Sequence, residues 1–343
     1  MAEPERIVEL LRVVSGVASD KIRSIHQVTA ATRILALNAL IESNRAGETG
    51  RGFAVVANEV KGISQRISGI TRELETELSD NIRELTRLGE TMIMHVRGAR
   101  LADLALHMIE IIDRNLYERS CDVRWWATDS AVVDCLSHRD DASARHACRR
   151  LGVILDSYTV YLDLWVADTE GRVVANGRPD RYPDAIGSYV GDSPWFREAL
   201  ATRDGTEFAV ADISTNPKLN NAVVATYTTA IREGGENNGR PLGALGIFFD
   251  WKPQAQSVIS GVRLSEEERN RTRCLLIDSN CRVIASSDEH GLLQEVFHLE
   301  NTHEKMGNYM DDNKNIVGFA LTPGYETYSG LGWRGVIIQE PPT

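Results

Sequence analysis

Charged side chains crowd around a cluster of glycines in the first third of this sequence. The glycines are Gly47, Gly50 and Gly52, and the charged residues beside them are Glu42, Arg45, Glu48 and Arg51. Arginine and glutamate near a turn can form charge-assisted hydrogen bonds with another chain, whereas a plain helical bundle spreads its charges over interchangeable positions. This crowding is not typical of a plain coiled-coil surface and indicates a specialised end of the structure. The alternative is a solvated turn whose charges only suit the flanking helices.

The reactive side chains do not have the spacing of a catalytic or metal-binding site. The five cysteines include no CxxC pair, and the sequence has no nucleophile elbow, P-loop, HExxH or dinucleotide-binding glycine motif. His146 and Cys148 are two residues apart on a predicted helix, so their side chains point about 200° apart and cannot share one ion. We therefore expect no enzyme activity, no cofactor and no metal, and we expect reduced thiols in a cytosolic protein.

The composition limits the classes of partner. The 343 residues suffice for two domains, and a formal net charge of -11 argues against binding nucleic acid or an anionic membrane surface, because both need clustered lysine and arginine. The N-terminus lacks the basic and then apolar pattern of a secretory signal, and no run of about 18 apolar residues is present. The sequence thus predicts a soluble, cytoplasmic protein with no direct membrane insertion.

Two helical arms position the charged cluster. No proline occurs from Glu5 to about Tyr117, and apolar residues recur at alternating steps of three and four, the period of a coiled-coil seam. The predicted seam residues are Ile7, Leu11, Val14, Ala18, Ile25, Val28, Leu35 and Ala39 in the first arm, and Phe53, Val56, Val60, Ile63, Ile67, Ile70 and Leu74 in the second. Two narrow seams bury little surface, so we expect this antiparallel hairpin to dimerise into a four-helix bundle.

The turn closely resembles the cytoplasmic signalling tip of methyl-accepting chemotaxis receptors. The resemblance covers roughly residues 25–70 and is most specific in the turn, which reads Arg45-Ala46-Gly47-Glu48 and then Gly50-Arg51-Gly52-Phe53. It implies a tip that docks the chemotaxis histidine kinase and its coupling protein, and that joins receptor homodimers into trimers of dimers. The contact residues that it implies are Asn38, Glu42, Arg45, Glu48, Arg51 and Phe53. Ser43 and Asn44 depart from the two alanines usual in that family.

The two arms are unequal in length. The first has about 45 residues before the turn, roughly 65 Å of helix, whereas the second runs to about residue 117 and could reach roughly 100 Å. We therefore expect only the second arm to carry a signal from the rest of the protein. The predicted domains are the signalling hairpin, residues 1–117 with its tip near 45–52, and a sensor region, residues 118–343.

The sensor region has the pattern of two related α+β lobes. We predict a long helix over residues 118–136, a helix over 144–157, and two strands around an aspartate turn over 161–176. The order of strand, aspartate turn and strand returns at 274–285, about 110 residues later. This repeat predicts a first lobe at about 144–252 and a second at about 253–343. The fold class is therefore α+β, a long antiparallel coiled-coil hairpin followed by two PAS-like lobes.

With its segment Asp192-Ser193-Pro194-Trp195-Phe196, the sensor region also loosely resembles the double Cache sensors of bacterial receptors, from about residue 117 to 339. The resemblance implies a small-molecule site in the first lobe, formed by Ser193, Trp195, Phe196, Tyr227 and Asp250. Ser193 stands where amino-acid-binding members carry an arginine, so an amine, a purine-like ring or another organic cation is at least as good an expectation as an amino acid. The alternatives are core packing for Trp195 and Phe196, and helix capping for Asp250.

Together these features predict a chemoreceptor-like signal transducer with an N-terminal tip and a C-terminal sensor. It would sense a small cytoplasmic ligand and regulate the chemotaxis histidine kinase through the tip. One alternative is a truncated or accessory receptor that joins receptor arrays as a structural or ligand-binding subunit without kinase control. Another is a ligand-scavenging module whose hairpin only dimerises it.

Overall fold

Two long helices joined by a tight turn form the N-terminal part of the chain. α1 covers Glu3–Arg45 and α2 covers Arg51–Trp126, with one 3-10 turn at Gly47–Gly50 between them. The structure is a computed structural model that describes residues 3–300 and 302–341. The chain divides into two units, residues 1–97 and 98–343, so α2 contributes to both. In the described ranges, no helix combines the length and the apolar character needed to span a bilayer.

Glycine allows the turn between the two helices to close tightly. Gly47 has a φ of +64°, a conformation that L side chains rarely adopt. Gly50 approaches α1 so closely that a Cβ atom there would lie 2.2 Å from the carbonyl oxygen of Ser43. The Ser43 hydroxyl in turn donates a hydrogen bond to the Gly50 carbonyl, at 3.1 Å. These contacts fold the arms into an antiparallel hairpin.

The seam inside the hairpin uses a different stripe of residues from the predicted one. Positions seven residues apart are buried, and they are Ile22, Thr29, Ala36, Ser43, Gly50, Ala57, Ser64 and Thr71. Five predicted seam residues are instead at least 61% exposed, so the prediction was wrong for Val28, Leu35, Phe53, Val56 and Ile70. Small side chains let the arms approach closely, and the buried threonine hydroxyls and that of Ser64 donate to the carbonyl four residues earlier. The large aliphatic side chains are left on the hairpin surface.

The first lobe of the second unit is a five-stranded antiparallel sheet with helices on its faces. Its helices are α3 (Ser130–His138), α4 (Asp141–Ser157) and α5 (Pro194–Leu200). Its strands are β1 (Tyr161–Asp168), β2 (Val173–Asn176), β3 (Ala209–Asn216), β4 (Ala222–Arg232) and β5 (Pro241–Asp250). The strand order is β2-β1-β5-β4-β3.

The second lobe repeats this topology. It contains α6 (Trp251–Ser260), α7 (Glu266–Arg269), β6 (Thr272–Ile277), β7 (Val283–Ser286), β8 (Met306–Met310), β9 (Ile316–Leu321) and β10 (Arg334–Gln339). Its strand order, β7-β6-β10-β9-β8, is that of the first lobe with each strand number raised by five. The repeat extends to the first turn of each sheet, where Asp168 and Asp278 each accept hydrogen bonds from backbone amides two and four residues later. The predicted pair of related lobes is confirmed.

Residues 98–126 of α2 pack against both lobes. Gly318 on β9 and Gly335 on β10 lie against the helix, and a Cβ on either would clash with its backbone at 2.4–2.5 Å. The compact unit therefore begins at Gly98, earlier than the predicted start of the sensor region at residue 118. The single helix predicted over 118–136 is interrupted after Trp126, because Asp129 accepts a hydrogen bond from the amide of Ala131 and begins α3 as its N-cap.

Candidate functional site

A cavity of about 750 Å³ opens on one face of the first-lobe sheet, beneath α5. Aromatic and aliphatic side chains form its walls, and these are Trp165, Val190, Trp195, Val224 and Phe248. The lining also includes hydroxyl and amide groups, which belong to Ser188, Ser193, Ser214, Thr215, Asn216 and Thr226. Four charged side chains complete it, and these are Glu198, Asp212, Lys218 and Arg282. An apolar cleft with a few convergent polar groups is the usual form of a small-molecule site.

Trp165 is held in the cavity wall by a buried carboxylate. Its indole Nε1 donates to Asp163 at 2.9 Å, and Asp163 also accepts hydrogen bonds from the Asn176 side chain and from two backbone amides. Burial raises the pKa of Asp163, and these hydrogen bonds to the charged form oppose that increase. The ring of Trp165 lies 4.3 Å from that of Phe248 between centroids. The result is a rigid aromatic wall.

The position of Trp195 depends on a glycine. A Cβ on Gly246 of β5 would lie 2.9 Å from the Trp195 ring, so the absence of a side chain makes room for it. Trp195 packs edge-on against Phe248, with centroids 5.9 Å apart. α5 begins with Ser193 at the N-cap position and Pro194 in the first turn, which directs Trp195 towards the sheet.

The structure brings only part of the predicted ligand site together. Ser193 and Trp195 line the cavity, whereas Phe196 lies in the adjoining core, 6.0 Å from Trp195 between ring centroids. Tyr227 lies on the opposite face of the sheet, since side chains alternate along a strand and it is Thr226 that faces the cavity. Asp250 lies at the end of β5, away from the cavity lining, at the N-cap position of α6 without a capping hydrogen bond from its side chain.

Tyr227 and Asp250 therefore have other surroundings from those expected. Tyr227 is fully buried and its ring stacks on that of Phe208, with centroids 6.2 Å apart. Its hydroxyl lies near that of Tyr328 in the second lobe, without a hydrogen bond of good geometry. Burial raises the pKa of Asp250, and the nearby Arg181 guanidinium opposes that increase.

Val224 and Thr226 are two residues apart on β4, so strand alternation in the sequence places both side chains on the cavity face. No pattern in the sequence indicates that the charged residues Asp212 and Arg282 also line the cavity. Asp212 lies at an irregularity in β3, where the pairing with β4 shifts between Ala211 and Ser214. Arg282 comes from the second lobe, so its approach depends on how the two lobes pack.

The hairpin turn brings the predicted tip residues to one end of the first unit. Arg45 pairs with Glu42 at 3.5 Å, and Arg51 pairs with Glu48 at 3.2 Å. All four side chains are at least 74% exposed, Asn38 is exposed, and Phe53 is 77% exposed. Surface ion pairs of this kind add little stability, and an exposed phenylalanine adds none within one chain. The turn therefore presents four paired charges and one aromatic ring at the surface of the first unit.

Two buried polar contacts fix α2 in the second unit. Asp113 accepts hydrogen bonds from the Thr322 hydroxyl at 2.6 Å and from the Gly324 amide at 2.9 Å, both in the second lobe. Asp122 accepts a hydrogen bond from Tyr161 of the first lobe and pairs with Arg119 at 3.2 Å. The single helix α2 is thus bound to the second lobe through Asp113 and to the first lobe through Asp122.

Comparison with known proteins relates the two parts of the chain to different protein regions. Residues 3–116 match the family model described as the methyl-accepting chemotaxis protein (MCP) signalling domain. A putative methyl-accepting chemotaxis protein, AlkN of Alcanivorax borkumensis, is 36% identical over 121 residues, and methyl-accepting chemotaxis protein I of Escherichia coli K12 is 34% identical over 109. These alignments cover 33% and 32% of this chain and only 18% and 17% of those proteins.

Among solved structures, the sensor domain of the Vibrio cholerae histidine kinase DctB aligns with a TM-score of 0.54 and 13% identity, over 73% of this chain and 98% of that domain. The sensory domain of the Campylobacter jejuni chemoreceptor Tlp3 aligns with a TM-score of 0.52 and 16% identity, over 73% of this chain and 95% of that domain. At such identities the likeness shows the fold alone. Residues 3–116 are thus similar to the MCP signalling domain, and the second unit has the Cache-like fold seen in chemoreceptor sensor domains.

Proposed function

We propose that the protein is a chemoreceptor-type signal transducer that senses a small cytoplasmic ligand in its first lobe and regulates a chemotaxis histidine kinase through its hairpin tip. One observation carries the proposal. The single helix α2, Arg51–Trp126, contributes both to the MCP signalling hairpin and to the unit with the sensor fold. A helix shared in this way is a direct covalent link between a ligand site and an output site.

The tip is the proposed output site. Asn38, Glu42, Arg45, Glu48, Arg51 and Phe53 would bind the kinase and its coupling protein and would join homodimers into trimers of dimers. Their exposure supports this role. The exposed aliphatic stripe that includes Val28, Leu35, Val56 and Ile70 supports the homodimer, because a second hairpin would cover it in a four-helix bundle.

The first-lobe cavity is the proposed input site. Ser193, Trp195 and Thr226 would contact the ligand directly, while Phe196 would support Trp195 from the core. Tyr227 and Asp250 are left out of the ligand contacts because neither lines the cavity. The ligand-binding domain of the Pseudomonas fluorescens chemoreceptor CtaA, in complex with L-serine, aligns with a TM-score of 0.50 at 14% identity, over 71% of this chain and 98% of that domain. That complex supports a small polar organic molecule as the occupant here.

The cytoplasm is the proposed location of both the protein and its ligand. All five cysteines are free thiols, which suits a reducing compartment. The proposed kinase partner also acts on the cytoplasmic side. Separation of cell fractions, followed by detection of the full chain, tests this part: recovery from the periplasm would contradict it.

A reconstituted kinase assay tests the output. Purified protein, chemotaxis kinase and coupling protein are mixed, and ATP-dependent autophosphorylation is followed with and without Arg45→Ala. The matched control is Arg23→Ala, because Arg23 is 69% exposed and pairs with Asp20 at 3.4 Å on the same helix, much as Arg45 does with Glu42. We expect the wild type and Arg23→Ala to change the kinase rate equally and Arg45→Ala to change it less. Equal rates with and without the wild-type protein would refute kinase control.

A thermal-shift screen of amino acids, amines, purines and organic acids tests the input. A ligand at a hundred times its Kd stabilises the folded protein by about 2.7 kcal/mol, which gives a measurable rise in Tm. Thr226→Val keeps the side-chain shape but removes a hydroxyl from the cavity, so it should reduce the shift. A hit that leaves kinase activity unchanged while the protein joins receptor clusters would favour the accessory receptor. A hit with no cluster association and no effect of Arg45→Ala in cells would favour the scavenger.

A further inference from the structure

Arg282 belongs to the second lobe but lines the first-lobe cavity. It follows the aspartate turn between β6 and β7, and its side chain is 31% exposed. Its Nε donates to Asp278 of the same turn at 2.8 Å. Its Nη2 reaches across to the first lobe, where it lies 3.4 Å from the Asp212 carboxylate and donates to the Ile213 carbonyl at 3.1 Å. One guanidinium therefore joins the two lobes at the wall of the cavity.

The internal repeat shows that this reach is particular to the second lobe. Arg172 occupies the corresponding position, four residues after Asp168, as Arg282 does after Asp278. The Arg172 guanidinium donates to the Gly187 carbonyl of its own lobe at 3.1 Å and does not line the 750 Å³ cavity. The same turn thus holds one arginine within its lobe and directs the other across the lobe boundary.

The irregularity in β3 receives Arg282. Pairing between β3 and β4 is interrupted from Ala211 to Ser214, which frees Asp212 and the Ile213 carbonyl from the regular ladder. Bulges of this type redirect side chains and are frequent beside binding sites. Burial raises the pKa of Asp212, and the hydrogen bond from the Ile213 amide and the Arg282 guanidinium oppose that increase. At 3.4 Å the Asp212–Arg282 contact is longer than the 2.7–2.9 Å typical of a charge-assisted hydrogen bond, so an occupant of the cavity can replace it.

We propose that Arg282 is a ligand-binding residue of the first-lobe cavity and that it binds a carboxylate group of the ligand. On binding, Arg282 leaves Asp212, and this change of partner transmits ligand binding to the second lobe. The inference rests on the proposed sensing function and assigns a ligand class to that site. Among the described residues, Nη1 of Arg282 makes no hydrogen bond, so a carboxylate can bind bidentately to Nη1 and Nη2. Asp212 must then give up Nη2. Lys218, also in the cavity lining and without an ion pair among those residues, adds a second positive charge.

The probes are three molecules of one shape, benzoate, benzamide and benzylamine, whose ring suits the tryptophan walls and whose charge is -1, 0 and +1. Binding to the full chain is measured by thermal shift and calorimetry. We expect benzoate to bind more tightly than the other two. Arg282→Gln should weaken benzoate binding roughly tenfold or more, the range for loss of a charge-assisted pair. Arg172→Gln, the matched control from the repeat, should leave it unchanged.

Asp212→Asn separates ligand binding from a merely structural role. A competitor for Arg282 is removed, so benzoate should bind more tightly to Asp212→Asn and more weakly to Arg282→Gln. If both substitutions change the affinity for benzoate in the same direction, the pair only holds the lobes together and the proposal is wrong. The proposal is also wrong if benzylamine or benzamide binds as tightly as benzoate, or if benzoate does not bind. If benzoate binding survives Arg282→Gln but falls in Thr226→Val, the sensing cavity stands and only the role of Arg282 fails.

Hydrogen exchange tests the report to the second lobe. On addition of benzoate, amide exchange in residues 279–283 should change, because these amides surround the base of the Arg282 side chain. The change should be absent in Arg282→Gln. Altered exchange confined to the first lobe would overturn the reporting step.

Discussion

Replacing Asp113 tests how firmly α2 is bound to the second lobe. Asp113 is 2% exposed and accepts hydrogen bonds from the Thr322 hydroxyl and the Gly324 amide. Asp113→Ala removes both contacts and leaves the buried Thr322 hydroxyl and the half-buried Gly324 amide without their acceptor. An unsatisfied buried group costs about 1–3 kcal/mol, and the half-buried Gly324 amide should contribute at the low end of that range, so we expect a loss of about 2–4 kcal/mol in the free energy of unfolding.

Asp113→Asn should behave differently, and its effect should depend on pH. Burial raises the pKa of Asp113, so the folded state disfavours its charge. The stability linked to this group is present at low pH and is lost as pH rises through the folded-state pKa. Asparagine is neutral, can accept from Gly324 and can donate to the Thr322 oxygen. We therefore expect this variant to be at least as stable as the wild type at pH 7, with the difference shrinking as pH falls towards 4.

Tryptophan fluorescence during urea unfolding provides the assay. All six tryptophans lie within residues 98–343, so the signal reports the second unit alone. Unfolding is measured for the wild type and both variants at pH 7 and at pH 4.5. The reasoning would be refuted by an Asp113→Ala variant as stable as the wild type. A marked loss of stability in Asp113→Asn at pH 7, with recovery at low pH, would show that the charged carboxylate is favoured in the fold.

Three further substitutions test other parts of the structure. Gly246→Ala places a methyl group against Trp195, so it should destabilise the second unit by about 1–3 kcal/mol and abolish ligand-induced thermal shifts; unchanged shifts would contradict the cavity. If the proposed homodimer forms through the apolar stripe, Leu35→Glu should be a monomer in light scattering while the control Arg33→Glu is a dimer; a dimer in both variants would contradict this interface. Gly50→Ala forces a Cβ to 2.2 Å from a backbone oxygen of α1, so kinase regulation should be lost while ligand shifts persist; full regulation would show that the turn tolerates opening.

Local patterns in the sequence are sufficient to predict the turns of the fold. The aspartate turns after β1 and β6 are encoded within five residues each, so the repeat can be recognised from the amino-acid order alone. The hairpin turn is equally local, since Gly47 and Gly50 meet its conformational needs directly. The choice of the buried seam, in contrast, depends on contacts between the two arms. The stripe of small residues and the stripe of large aliphatic residues have nearly the same period, and only the close approach of the arms selects small residues such as Ala36 and Ala57 for burial.

The lining of the cavity is harder to predict from the sequence, because most of its residues come from separate segments. Trp195 and Ser193 could be identified because they share one short segment at the start of α5. The family resemblance points to Tyr227 as a ligand contact, whereas its neighbour Thr226 lines the cavity, because a resemblance between distant sequences does not fix which side chain of a strand faces inwards. Asp212 and Arg282 are 70 residues apart and meet only because a β-bulge and a lobe contact coincide. No periodicity in either lobe predicts such a pair.

The cavity and α2 lie on opposite faces of the first sheet, so the proposed ligand would act on the helix only indirectly. On β4, Thr226 faces the cavity and Tyr227 faces the other side of the sheet. A displacement of this strand would therefore change the packing on both faces. The helix has one carboxylate in each lobe, Asp113 and Asp122, separated by nine residues or about 14 Å of helix. Because packed cores shift between discrete arrangements rather than deforming smoothly, a change in the relation of the lobes must bend or rotate this segment, or break one anchor. We therefore expect any movement of one lobe relative to the other to act on α2 between Asp113 and Asp122.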